Sequence, residues 1–161
     1  MSTFDASTIV SGNTADLGEL IRILEDELPT KQSYSESEGG GSLGTITGST
    51  FTSIRSITIT VEADDVVEIH ADVSFSHDTA NDTVAFALFD DTTELFRQTT
   101  KIKDAETPSN TTVTHNTALH YIVENASGSK TYHLKGAVTG GSGTCTYGGR
   151  NLSVKISKKR A

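Results

Sequence analysis

The sequence feature that most limits the possible fold is a run of strict apolar alternation between Val66 and Phe75. Every second residue from position 67 is apolar, and the residues between them include Glu68, His70 and Asp72. Because a β-strand turns successive side chains to opposite faces, this spacing places one face of the strand in a core and the other in water. The run predicts a long, half-buried strand that needs a second apolar surface to pack against.

Shorter runs of the same alternation recur after residue 50, and polar turns separate them. About eight such runs at short, regular spacing are typical of an antiparallel β-sandwich or barrel, and no alternation of strands with helices supports an α/β fold. We therefore expect an all-β, antiparallel domain across residues 50–157. The residues expected in its core are Ile57, Ile59, Val67, Ile69, Val73, Phe75, Phe86, Leu88, Leu134, Leu152 and Val154.

The segment from Lys130 to Ser157 predicts three short strands joined by two glycine-rich turns. The first turn, Gly140–Gly143, lacks the Lys-Ser/Thr ending and the following helix of a phosphate-binding loop, so we interpret it as a hairpin loop. The second turn is Gly148–Gly149. The strands expected to cover the apolar face of this segment are Ile57–Val61, Val67–Phe75 and Val84–Leu88.

A helical pattern occupies residues 13–29, before the β domain. Four apolar residues recur there at the spacing of a coiled-coil seam, and Pro29 ends the helix. A helix of roughly 15 residues is too short to be stable alone in water, so it needs an apolar partner. That partner is either its own domain or copies of the same helix. The seam consists of Leu17, Ile21, Leu24 and Leu28.

Polar segments surround the helix and follow the β domain. Residues 1–12 are either an arm that orders on a partner or a frayed terminus. Residues 30–49 combine Ser-Glu repeats with a glycine run, a composition typical of a flexible linker. Residues 158–161 form a basic tail that keeps the last strand from pairing with other molecules. The apolar residues of the arm are Phe4, Ile9 and Val10.

The charge and the cysteine content exclude several classes of function. The 161 residues carry a formal charge of −8, which argues against a nucleic-acid-binding surface. No apolar stretch is long enough to span a membrane, and no secretory signal is visible. Cys145 is the only cysteine, so no disulfide forms within the chain. We expect no nucleic-acid or membrane partner.

The residues that carry chemistry show no catalytic or metal-binding pattern. The five histidines lack the helical spacing of a zinc site, so we expect them to face solvent or an interface. His70 and His133 fall on the polar faces of their predicted strands. His115 and His120 share a predicted strand but lie five residues apart, so they point to opposite faces. A trimer axis would bring three copies of one histidine together, and a single sequence does not exclude that arrangement. The pairs Asp64–Asp65 and Asp90–Asp91 suit turns better than calcium loops, and Cys145 has no catalytic signature. We predict a structural or binding protein, not an enzyme, with no cofactor and no metal.

Several stretches carry a resemblance to a known class of protein: Ile57–Val61, Val66–Ala71, Ala85–Asp90 with Thr93–Leu95, His120–Tyr121, Thr131–Lys135 and Arg150–Ile156. Their order resembles the jelly-roll modules of tailed-phage virion proteins, namely capsid decoration proteins and fibre tips. These modules are similar in architecture to the trimeric jelly rolls of the complement and tumour-necrosis-factor class. The resemblance covers about residues 50–157 and implies an antiparallel jelly-roll sandwich. The N-terminal helix is not part of the resemblance, but a short helical stalk before a trimeric jelly roll would suit such a protein. It carries over no catalytic residue.

The resemblance implies a structural virion protein. Our first hypothesis is a capsid decoration protein, of the cement or head-fibre kind, that is made in the host cytoplasm and lies on the capsid surface. Its N-terminal region would bind the major capsid protein, and its homotrimeric jelly roll would project outward. The alternative is a receptor-binding module of a tail fibre or base plate, whose loops Gly140–Gly143 and Asp104–Asn110 contact a host glycan or surface protein. A secreted or cellular carbohydrate-binding domain is a third hypothesis, against which the missing signal peptide counts.

Overall fold

The computed structural model describes residues 32–38, 43–103 and 114–158, and all regular structure in these residues is β. The all-β prediction is therefore confirmed, while the predicted arm and helix lie outside the described residues. Among the described residues, no helix has the length and apolar character that crossing a membrane requires. The strands are β1 Gln32–Glu38, β2 Gly44–Ile46, β3 Thr52–Val61, β4 Asp65–His77, β5 Thr83–Asp90, β6 Thr93–Lys101, β7 His115–Glu124, β8 Gly128–Gly140 and β9 Cys145–Lys158.

The strands form two antiparallel sheets. Sheet A has the order β1-β9-β4-β7, with β2 also paired to β9, and sheet B has the order β3-β8-β5-β6. β1 pairs with residues 150–156 of β9 and β2 pairs with residues 145–147, so the two short strands follow one another along one edge of β9. Together they fill a single strand position, which leaves four positions in each sheet of a β-sandwich.

Consecutive strands mostly lie in opposite sheets. From β2 onward, the one pair of successive described strands that shares a sheet is the β5–β6 hairpin, whose turn contains Asp91 with φ of 51°. Every other connection in that part of the chain crosses from one sheet to the other, as in Greek-key sandwiches. Residues far apart in sequence therefore meet as neighbours on each sheet.

The two sheets enclose an apolar core formed by the alternating residues of their strands. Phe75 of sheet A packs on Phe86 of sheet B, with ring centroids 4.9 Å apart. Every residue that the sequence predicted for the core is buried in this cluster, and Tyr132 and Ile102 are fully buried with them. Because burying each large apolar side chain stabilises the fold by about 1.5–3 kcal/mol, this cluster is the main reason that the sheets stay together.

Two strands lie within residues 30–49, which the composition predicted to be a linker. β1 pairs with β9 from Gln32↔Ile156 to Glu38↔Arg150, and Ile46 of β2 is buried in the core. The linker prediction is wrong for these residues. A Ser- and Glu-rich stretch has no apolar alternation to signal a strand, but its backbone can still pair with an open edge of β9.

The segment from Lys130 to Ser157 differs from its prediction in two ways. It forms two strands, β8 and β9, which lie in opposite sheets, so Gly140–Gly143 belongs to a crossover and not to a hairpin. Gly148 and Gly149 lie inside β9, where the pairs Val73↔Arg150 and Phe75↔Tyr147 leave both glycines opposite a single residue of β4. The glycines thus mark a β-bulge in a continuous strand, which sequence alone does not distinguish from a turn. β9 also includes Lys158, assigned to the tail by sequence.

Candidate functional site

The outer face of sheet A brings together three side chains with atoms that can bind a cation: Glu68 and His70 of β4, and His120 of β7. His70 and His120 are direct partners in the antiparallel β4–β7 ladder, and Glu68 precedes His70 by two residues on the same face. Directly opposed residues of antiparallel strands have Cβ atoms about 4.5–5.5 Å apart. Two histidines that lie far apart in the sequence thereby become neighbours.

The three side chains share one small volume. The imidazole rings of His70 and His120 stack with their centroids 4.3 Å apart and their planes 16° from parallel. Each ring turns its Nε2 to the same oxygen of Glu68, at 3.1 Å from His70 and 3.2 Å from His120. Both histidine side chains are 50 % exposed. The cluster is therefore preassembled and open to small solutes.

The sheet beneath holds this cluster in place. Val67 and Ile69, which alternate with the cluster residues of β4, are fully buried, and Leu119 beside His120 is buried as well. β4 is an interior strand, paired with β7 on one side and β9 on the other. A site built on a packed interior strand and its neighbour is more rigid than a site on loops.

The charges around the cluster keep the Glu68 carboxylate ionised. The hydrogen bond from His70 is the largest cause that lowers the pKa of Glu68, and partial burial opposes it. The hydrogen bond from His120 and the charge of Lys155, whose Nζ lies 3.9 Å from Glu68 Oε2, lower this pKa further. The Glu68 carboxylate is therefore negatively charged at neutral pH, and the ammonium group of Lys155 lies beside it.

A second polar cluster closes one end of the sandwich, where the β4–β5 turn meets the β8–β9 crossover. Gly143 donates its N–H to Oδ2 of the buried Asp82 at 2.8 Å. Thr144 donates its N–H to Asp78 Oδ1 at 2.7 Å, and Asp78 donates its own N–H to the Thr144 carbonyl at 3.2 Å. Burial alone would raise the pKa of Asp78, but hydrogen bonds from Thr144 and Thr79 bring it below its usual value. These contacts attach the crossover to the turn.

His77 and Cys145 lie behind this closure and have no access to solvent. His77 is 1 % exposed, and its Nδ1 accepts the N–H of Thr79 at 3.0 Å. Its Nε2 lies 3.8 Å from Asp82 Oδ2, which is too far for a hydrogen bond. Cys145, the ladder partner of His77, is fully buried, and burial together with the charge of Asp78 raises the pKa of its thiol to about 12. The thiol is therefore protonated at neutral pH, and both side chains are enclosed at this end of the sandwich.

The outer face of sheet B carries an aromatic cluster that cations cover. Phe51 and Phe89 pack with ring centroids 5.5 Å apart. Arg97 lies over the Phe51 ring at 4.8 Å, and Lys135 Nζ lies 4.2 Å from the centre of the Phe89 ring. Long basic side chains cover apolar surface with their stems while their charged ends stay in water. The cluster protects the outer face of β5, where Phe89 is 8 % exposed.

The predicted site residues fall into two groups. The structure describes the core residues, which are buried, but it does not describe the arm and the helix seam. The capsid-docking arm and the helix seam lie outside the described residues, so those predictions stay as they were. Alternation predicts His70 on the polar face of its strand, where the structure has it, but does not predict its contact with Glu68 and His120. Both histidines fall on polar strand faces, and this was the available signal. Using it would have required knowing that β4 pairs with β7.

Comparison with known proteins gives a likeness of fold. No family model matches the chain, and no curated protein matches it in sequence. The structure of the VP2 subviral particle of infectious bursal disease virus aligns with a TM-score of 0.51 and 9 % identity, over 82 % of this chain and 38 % of the VP2 chain. T=1 particles derived from the same virus give a TM-score of 0.52 and 8 % identity, over 82 % and 37 % of the two chains. This chain thus spans well under half of VP2, and at such low identity the likeness is one of fold.

Proposed function

We propose that this chain is a structural protein of a virus particle and that its β domain is a jelly roll. The observation that carries the proposal is the interleaved strand order, β1-β9-β4-β7 over β3-β8-β5-β6. This is the arrangement of two Greek keys in a double-sheet jelly roll, an architecture common in capsid proteins. The fold likeness to VP2, at a TM-score of 0.51, supports the same assignment.

Within that class, we favour decoration of a capsid surface by a homotrimer. The seam Leu17, Ile21, Leu24 and Leu28 would join three copies, and the arm residues Phe4, Ile9 and Val10 would bind the major capsid protein. Weak contacts repeated by symmetry add up to a stable assembly, because each contact raises the effective concentration for the next. The described residues also leave the outer edges of β6 and β7 free for neighbours.

A non-enzymatic role agrees with the chemistry of the described residues. The Cys145 thiol is buried and protonated, and His77 is enclosed by the loop contacts around Gly143. The alternative function, a receptor-binding module that stacks sugars on aromatic rings, gains no support from Phe51 and Phe89. Their rings are covered by Arg97 and Lys135.

Sedimentation of the purified full chain tests the trimer. We expect a species with three times the mass of one chain, and Leu24→Lys in the seam should convert it to monomer. Asp26→Lys is the matched control, because its position in the helical repeat lies away from the seam. A wild-type monomer at every concentration, or equal behaviour of the two variants, would contradict the trimer.

The copy number of the chain in purified particles tests decoration. Quantitative mass spectrometry should find hundreds of copies for each particle, together with crosslinks from a cysteine placed at Ile9 to the major capsid protein. A handful of copies for each particle, with crosslinks to tail proteins, would support the tail-fibre alternative instead. Absence from the particles would refute a virion role altogether.

A further inference from the structure

We propose that Glu68, His70 and His120 form a binding site for one divalent transition-metal ion, with Zn²⁺ as its representative. The inference rests on the geometry of the outer face of sheet A and is independent of the proposed virion role. One nitrogen or oxygen atom from each of the three side chains lies within 4.8 Å of the others, on two paired strands.

The spacing of the ligand atoms suits a tetrahedral metal. Zinc binds imidazole nitrogen and carboxylate oxygen at about 2.0–2.1 Å, so two ligand atoms of a tetrahedral site lie about 3.3 Å apart. The distances from Glu68 Oε1 to Nε2 of His70 and of His120 are 3.1 and 3.2 Å. Both pairs that Glu68 forms therefore already have the spacing of a tetrahedral site. The half-exposed rings, whose planes are 16° from parallel, must rotate to direct both nitrogen lone pairs to one ion.

The donor set selects the class of metal. Two imidazoles and one carboxylate make the His₂Glu set found around zinc, with a fourth position for water. Imidazole suits Zn²⁺, Ni²⁺ and Cu²⁺, whereas Ca²⁺ and Mg²⁺ require six or more oxygen ligands. The exposure of both histidines leaves room for the fourth ligand on the solvent side.

Lys155 is the feature that opposes metal binding, and it also provides a specific test. Its ammonium group lies 3.9 Å from Glu68 Oε2 and repels an incoming cation. Removing this charge while keeping a side chain of similar length should strengthen binding several-fold. No such effect follows if the three side chains form only hydrogen bonds with one another, since the same N–O distances also fit that arrangement.

Calorimetric titration of the untagged full chain with Zn²⁺, after treatment with a chelator, tests the site. We expect one ion for each chain and no heat from Mg²⁺. His70→Gln and His120→Gln should each weaken binding at least tenfold, and Lys155→Gln should strengthen it. His133→Gln is the matched control, because His133 lies on the other sheet and should leave the affinity unchanged.

A spectroscopic measurement identifies the ligands independently of affinity. Co²⁺ in the site should give the intense visible bands of tetrahedral coordination by nitrogen and oxygen, and these bands should disappear in the His70→Gln/His120→Gln double variant. Because all substituted side chains are partly exposed, circular dichroism should show the same fold in every variant. Absence of binding, unchanged binding in the double variant, or a thiolate-to-cobalt band from Cys145 would each overturn the proposal.

Discussion

Gly136 of β8 faces core side chains of both sheets, and its replacement by alanine is a sensitive test of the packing described above. A Cβ at this position would lie 2.5 Å from Ile46 Cδ1 and 3.1 Å from both Ile54 Cδ1 and Phe86 Cε1. Ile46 is 3 % exposed and Phe86 is 1 % exposed, so neither side chain has solvent to move into. Gly136→Ala should therefore overpack the core.

Two opposing effects determine the magnitude. Overpacking a well-packed core costs about 1–3 kcal/mol. Replacing glycine by alanine also reduces the conformational entropy of the unfolded chain, which stabilises the fold by about 0.4–1 kcal/mol. We expect a net loss of about 1–2 kcal/mol in the free energy of unfolding, which is a measurable part of the total for a domain of this size.

Urea unfolding followed by far-ultraviolet circular dichroism measures this free energy by linear extrapolation. Gly148→Ala is the control, because a Cβ there would meet nothing closer than Leu43 Cδ2 at 3.5 Å, an ordinary contact. That variant should be as stable as the wild type or up to about 1 kcal/mol more stable. Of the two glycine substitutions, only Gly136→Ala should lower the free energy of unfolding.

A compensating substitution identifies the clash itself. Ile46→Val removes the Cδ1 atom nearest to the new methyl group, and alone it should cost about 0.5–1.5 kcal/mol. Combined with Gly136→Ala, it should restore stability, so that the double variant is more stable than the sum of the single effects predicts. Equal free energies of unfolding for Gly136→Ala and Gly148→Ala would refute the overpacking of the core. An Ile46→Val substitution that lowers this free energy equally with and without Gly136→Ala would refute the clash with Ile46 Cδ1.

Three further predictions concern the closed end of the sandwich. Asp82→Ala should lower the free energy of unfolding in urea by about 1.5–3 kcal/mol, because it leaves the Gly143 N–H without its acceptor. Asp82→Asn, which keeps a side-chain oxygen, should lower it less. Equal losses in the two variants would refute this role of Asp82. The pKa of Asp78 in the folded state lies below its ordinary value of 3.8. Ionised Asp78 therefore stabilises the fold above that pH, and this stabilisation is lost as the pH falls through the folded-state pKa. Asp78→Asn should therefore flatten the acid side of the stability–pH curve, and an unchanged curve would contradict the assignment. Cys145, with a pKa of about 12, should react with a thiol reagent at least about 100-fold more slowly in the native protein than in urea, and equal rates would show that the thiol is accessible.

The part of the fold that could be predicted from sequence is the part encoded locally. The alternation in β4 is visible because the buried residues from Val67 to Phe75 are consecutive odd positions of one strand. β1 has no such pattern: its residues are mostly Ser and Glu, and pairing with β9 makes it a strand. Local periodicity identifies a face, whereas pairing depends on distant residues.

The same limit explains the candidate site. Glu68 and His70 lie two residues apart, but His120 joins them only because β4 and β7 are neighbours in sheet A. Likewise, β8 and β9 follow one another in the chain like the arms of a hairpin, yet they pair with β5 and β4 in opposite sheets. Alternation in β4, β8 and β9 indicates their inner faces but does not indicate which sheet each strand enters.

The position of β9 in sheet A has a consequence for the way the protein folds. β9 lies between β4 and the β1–β2 pair, and its partner residues include Gln32 and Asp65. During synthesis, β1, β2 and β4 must therefore wait with unpaired edges until the chain has left the ribosome as far as Lys158. Folding is therefore expected to be slow for the size of the domain, because most strand pairs join distant parts of the chain. In this interval the unpaired edges of β1, β2 and β4 can pair with other molecules, which makes the unfolded chain prone to aggregate.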